Sequence, residues 1–200
     1  MILDKFLPKY EFNEIHTVKV DAQPEWVYTA IKELTPAELS PLIFWMLDLR
    51  NLPAKLMGKT PPIVDQQSKP FLDQMYEGGF IPLAEETNSE IVFGMIGQPW
   101  KLAGGVDPDI PTPQAFLAFD DPAFAKIAAN LTVTVDGKGV IHCNTETRIH
   151  VPNPNTRRKF AFYWLIISMG SGWIRVLWLK AIKKKAEKKV GKSQQSPISI

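Results

Sequence analysis

Two hundred residues with 45% hydrophobic and 22% charged content make one globular domain and exclude a disordered chain. A single cysteine, Cys143, excludes an internal disulfide framework and fits a reducing, cytoplasmic compartment. The net charge of +2 hides an asymmetry, because residues 180–192 hold seven lysines against one acid, Glu187.

Met1 to Pro8 carries Asp4 and lacks the apolar run of a secretory signal. Residues 11–21 alternate as a strand does, with Glu14, His16, Val18 and Val20 on one face. Lys19 and Asp21 on the other face belong in water, so Val18, Val20 and His16 point inward. Pro24 then opens a helix with Trp26, Val27, Ala30, Ile31 and Leu34 at helical spacing. Thr35-Pro36-Ala37-Glu38 reads as a capping box that starts a second helix. Its apolar body, Leu39 to Met57, is interrupted by Pro41 and Pro53.

Residues 58–79 are rich in Gly, Pro and Gln and read as a loop with one short helical turn. Phe80–Glu86 and Glu90–Gly97 form a hairpin around the turn residues Thr87-Asn88-Ser89. After a proline-rich loop (107–113), Gln114–Asp120 reads as a further strand. Phe124–Val135 and Val140–Val151 make a second hairpin across Asp136-Gly137-Lys138-Gly139. Asp121-Pro122 alternatively caps a short helix over 123–129. Asn153-Pro154, an N-cap followed by proline at the first helical position, opens a long apolar helix that runs to Lys189. The domain is expected over 1–190, with 191–200 a disordered tail.

Strand, two helices, several strands and one long helix make an α+β chain with an antiparallel sheet. Val18-Lys19-Val20-Asp21-Ala22-Gln23-Pro24-Glu25-Trp26-Val27-Tyr28 begins the domain as the START-like or Bet v 1-like helix-grip superfamily (SRPBCC, polyketide cyclase/dehydrase-like) begins, and the chain resembles that superfamily. Thr145-Glu146-Thr147-Arg148, Tyr163-Trp164 and Gly170-Ser171-Gly172-Trp173-Ile174-Arg175 look like a bacterial branch of it. The likeness spans roughly residues 10–188. It implies a curved sheet of six or seven strands gripping the long helix, with two helices between the first two strands. It also implies an apolar cavity between sheet and helix, and pairing of the first strand with the last.

A bilayer is the rival environment for the long helix. Phe160 to Ile182 is long enough to span one, and lysines follow it. Arg175, Lys180 and the Gly170-Ser171-Gly172 break count against a span, since charge at the bilayer centre is costly. The expectation is therefore a soluble helix whose aromatics form the cavity's back wall. Each glycine of the break costs about 0.5–1 kcal/mol against alanine. Close packing on a strand, or a kink, explains it better than a ligand-admitting hinge. The lysine tail suits a helix C-terminus and reads as solvated, with membrane contact at most peripheral and no nucleic-acid partner.

Candidate site residues follow from strand parity. Ile141, Cys143, Thr145, Thr147, Ile149 and Val151 share one face of their strand, and His142, Asn144, Glu146, Arg148 and His150 share the other. The simple reading buries the first set and leaves Glu146 and Arg148 exposed as a charge pair. The sharper reading turns Glu146 and Arg148 into the cavity, where they meet Glu14 and His16. That cluster would offer a general base (His16 or Glu146) with Arg148 stabilising negative charge. Pocket walls are expected from Val18, Val20, Trp45, Trp100, Tyr163 and Trp164, with Glu14, His16, Arg148 and Tyr163 as polar anchors. No phosphate-binding glycine loop, nucleophile elbow or zinc motif is present, so no cofactor or metal is expected. Binding of a small hydrophobic or amphipathic ligand is the leading reading. A cyclase-, dehydratase- or hydrolase-like enzyme is the rival, and a peripheral lipid carrier the third.

Overall fold

The computed structural model describes residues 1–46, 68–101, 108 and 110–193. Its elements are α1 (Leu3–Phe6), β1 (Phe12–Val20), α2 (Pro24–Glu33), a 3-10 turn (Pro36–Glu38), α3 (residues 41–46) and α4 (Phe71–Glu77). They continue with β2 (Ile81–Glu86), β3 (Glu90–Gly97), α5 (Pro113–Ala118), β4 (Ala125–Val135), β5 (Ile141–His150) and α6 (Pro154–Ser193). All pairings are antiparallel, in the order β1-β5-β4-β3-β2. The chain is thus α+β, and the first strand pairs with the last. Among the described residues the sheet has five strands rather than six or seven.

Local chemistry places most boundaries. Asn153 Oδ1 accepts the amides of Asn155 (2.8 Å) and Thr156 (3.1 Å), the N-cap that starts α6. The two hairpin turns hold as read, with Asn88 at φ 61° and Gly139 at φ 77°. Asp136 Oδ1 ties the second turn by accepting the amides of Lys138 (2.8 Å) and Val140 (2.9 Å).

Four expectations are corrected. Gln114–Asp120 is not a strand: Thr112 Oγ1 accepts the Ala115 amide at 3.1 Å and Pro113 sits at the first helical position, so α5 forms there. Residues 123–129 are not a helix either, because β4 begins at Ala125. In the capping box the Glu38 carboxylate accepts the Thr35 amide at 3.0 Å, but Leu39 is extended and only a single 3-10 turn forms. Helix resumes at residue 41, and the rest of that expected helix lies largely outside the described residues. Finally, α6 continues past its expected end at Lys189 to Ser193, and the rest of the expected tail lies outside the described residues.

The sheet is covered on both faces. One core joins Val20, Ile91, Phe93, Leu131 and Cys143 to Val27 and Ile31 of α2 and to Trp178, Leu179 and Ile182 of α6. The other joins Val92, Ile96 and Ala128 to Leu3 and Leu7 at the N-terminus and to Phe116 of α5. Cys143 packs in the first core as a small apolar residue does, and burial pushes its thiol up to about 12.

Gly94 makes the second core possible. A Cβ there would lie 2.9 Å from Ile127 O, Leu83 Cδ1 and Phe116 Cε2. Backbone on one side and a fully buried ring on the other leave no room to yield. Gly94→Ala is expected to destabilise by about 1–3 kcal/mol through overpacking, measured by chemical denaturation. Unchanged stability would show that α5 does not seat on β3 as described.

Candidate functional site

On the α6 side of the sheet, β1 carries Glu14 and His16 inward, two residues apart on one face. Glu14 Oε1 is 2.7 Å from His16 Nε2, and Arg175 of α6 donates from Nη1 to Glu14 Oε2 at 2.5 Å. The three side chains are 16%, 22% and 17% exposed for Glu14, His16 and Arg175. A carboxylate shared between an imidazole and a guanidinium is a polar anchor with both charge and direction.

The helix reaches this carboxylate because residue 172 is glycine. A Cβ on Gly172 would overlap Glu14 Oε1 and sit 3.4 Å from the His16 ring. Close packing against the Glu14 side chain on β1 therefore accounts for Gly172 of the glycine-serine-glycine break. Gly170 differs, since a Cβ there meets only Met46 Cε, at 3.5 Å.

Glu146 and Arg148 are buried, at 9% and 6% exposure, but on the opposite face of β5. Neither expected placement holds. They are not an exposed pair, because the N-terminal segment covers that face. They do not meet Glu14 and His16, because Glu14 pairs across with Thr147 and His16 with Thr145. Arg148 Nε donates to Glu146 Oε1 (2.7 Å), its Nη1 donates to Asp4 Oδ1 (2.7 Å) and Leu7 O (3.2 Å), and its guanidinium lies 4.9 Å from the Tyr10 ring centre. Asn13 Nδ2 donates to Glu146 Oε1 at 3.1 Å. The hydrogen bond from Arg148 holds the Asp4 carboxyl below its ordinary range.

Beside them Glu90, 3% exposed, accepts from Asn130 Nδ2 (2.7 Å) and from the backbone amides of Ile2 (2.6 Å) and Leu3 (3.2 Å). This network straps the N-terminal segment to the sheet. Glu90 and Asn130 escaped the sequence reading, although both stand on strands at positions whose apolar neighbours predict burial.

The remaining candidates separate. Val20 is buried and Val18 half-buried within the α6-side core. Tyr163 and Trp164 are half-buried around Phe160, with ring centres 5.9 Å away, and Trp100 stands edge-on to Phe160 at 5.9 Å. Trp45, on α3, is 62% exposed and lines no interior surface. An open cleft of about 540 Å³ lies at the far end of the sheet, lined by Lys19, Gln23, Trp26, Ile141 and Val190, and Val20 is the one candidate that reaches it.

The aromatic residues of α6 also divide. Phe160 and Trp178 face the sheet, whereas Phe162 and Trp173 are 69% and 63% exposed. The helix is long and apolar enough to cross a membrane, and only 22% of its apolar window is buried. Part of the apolar surface of α6 therefore packs on the sheet, and most of its apolar window does not.

Two buried groups that sequence reasoning missed lie on the α6 side. Thr147 Oγ1 and Trp178 Nε1 have no hydrogen-bond partner among the described residues. Thr147 is 1% exposed, between Glu14 on β1 and Ala129 on β4, and the Trp178 indole stacks edge-on against Phe71 at 5.2 Å. No protein-family model matches this chain, and no curated protein is significantly similar to it.

Two substitutions at the helix break should move stability in opposite directions. Gly170→Ala is expected to stabilise by about 0.5–1 kcal/mol through helix propensity. Gly172→Ala gains the same propensity but displaces a carboxylate held by two partners, and is expected to destabilise by about 1–2 kcal/mol net. Thermal unfolding of both variants checks this, and equal shifts would refute the close approach. On the opposite face, Arg148→Ala leaves Glu146 buried without its cation and is expected to cost about 3–5 kcal/mol, read by denaturant titration.

Proposed function

We propose that the protein binds a small hydrophobic or amphipathic molecule between the α6-facing surface of the sheet and α6, as in a helix-grip fold. The observation that carries this reading is the pair of unpartnered buried groups, Thr147 Oγ1 and Trp178 Nε1. An unsatisfied buried donor or acceptor costs about 1–3 kcal/mol and calls for a physical reason. A bound molecule with one polar end supplies that reason.

The surroundings suit such a molecule. α6 lies chiefly over β1 and, to a lesser extent, β5. On the same face farther along the sheet, Ile127 of β4 and Met95 of β3 are only half-buried. They offer apolar wall beside Ala129 and Phe93. The Glu14–His16–Arg175 cluster stands at the β1 side of Thr147 as a charged anchor for a polar head group. Apolar walls with a few convergent polar groups are the composition of small-molecule sites. A free, buried Cys143 is consistent with a reducing, cytoplasmic setting. Binding is favoured over catalysis because Glu146 and Arg148 are committed to the N-terminal strap on the other face.

Native mass spectrometry after mild purification is expected to show a noncovalent adduct of small-molecule mass that organic solvent strips. Thr147→Val and Trp178→Phe should each lower adduct occupancy several-fold, while changing the stability of the stripped protein by less than about 1 kcal/mol. A wild-type protein that is uniformly unliganded, and takes up no fluorescent fatty-acid probe after stripping, would overturn the reading.

A further inference from the structure

The outer face of α6 is independent of the space beneath it. Phe162, Leu165, Ile166, Met169, Trp173 and Val176 are 69%, 73%, 62%, 76%, 63% and 36% exposed. At about 100° per residue they fall within an arc of about 100°, over roughly 21 Å of helix. Exposed Arg158 continues this line at one end, and exposed Lys180 and Lys184 continue it at the other. The helix carries eleven basic residues against one acid, Glu187. The adjoining turn adds to the patch: Met46 of α3 approaches Gly170, and Leu42 and Trp45 on α3 are 40% and 62% exposed.

We infer that this face docks on an anionic membrane surface, with α6 lying in the plane of the interface rather than crossing it. An apolar stripe that ends in cations on both sides matches a bilayer edge, where acyl chains meet anionic head groups. The opposite side of the same helix is committed to the protein. Phe160, Trp178, Leu179 and Ile182 are buried against it, and Arg175 is paired with Glu14. Spanning a bilayer would strip those contacts and expose Arg175 to lipid. A second copy is a poor occupant. Pairing two stripes along the helix axis, parallel or antiparallel, sets basic ends against basic ends.

Cosedimentation of the full chain with vesicles is the test, using phosphatidylcholine alone or mixed with phosphatidylserine. Binding should require phosphatidylserine and weaken with added salt. Leu165→Ser/Met169→Ser and Lys180→Glu/Lys184→Glu should each reduce it by at least about tenfold, with wild-type circular dichroism. If the apolar variant fails to fold, the charge variant and the salt dependence still decide. Absence of wild-type binding, or binding unchanged in both variants, overturns the inference. A dimer that the apolar variant abolishes, without vesicle binding, overturns it in favour of a second copy. Retention in cell membranes after alkaline carbonate overturns it in favour of a spanning helix. Each result is distinct from loss of a bound small molecule, which is read in the stripped protein without vesicles.

Discussion

The approach of α6 to β1 at Gly172 governs the rest of the molecule. It lets a forty-residue helix lie against an edge strand closely enough for Arg175 to reach Glu14. The ion pair and the buried residues Phe160, Trp178, Leu179 and Ile182 hold the helix on the sheet, and α2 packs against both. A mid-helix glycine is costly by propensity, and the cost is offset by contacts that no larger residue at 172 would permit. Everything on either side of α6 follows. Its inner face closes over Thr147 and Ala129, and its outer face is left with apolar side chains that nothing in the described chain covers.

The opposite side of the sheet obeys a different logic. Buried charge is tolerable only when paired and hydrogen-bonded. Glu146, Arg148, Glu90 and Asn130 meet that condition by recruiting Asp4, a carbonyl and the first backbone amides of the chain. The N-terminal segment is therefore as much a part of the core as a strand would be. Glu146 and Arg148, which look catalytic in sequence, hold the N-terminal segment in this fold, their hydrogen bonds going to each other, to Asn13 and Asp4 and to backbone.

Parity along β5 separated Cys143, Thr145, Thr147 and Ile149 from Glu146 and Arg148, and the separation is correct. Parity could not say what lies over the second set, since a period of two sorts residues onto faces without naming the cover. The short helix α5 was misread for a related reason. Its six residues are too few to show a helical period, and the N-cap at Thr112 was the better signal. The strong apolarity of α6 concealed its two-sidedness, since a helix apolar all round gives no phase from which to read an inner face.

The sequence by itself determined the elements whose information is local: both β-hairpins, the Asn153 cap of α6, the inward side of β1 and the α+β order. These depend on turn chemistry, capping and alternation within a few residues of each other. Only the tertiary structure decided that the sheet is packed on both faces, that Arg175 rather than Arg148 completes the Glu14–His16 group, and that most of the apolar window of α6 is left uncovered. Those outcomes depend on contacts between residues far apart in sequence, 161 positions for Glu14 and Arg175, whose geometry is set by the packing of whole elements and has no local signature in the chain.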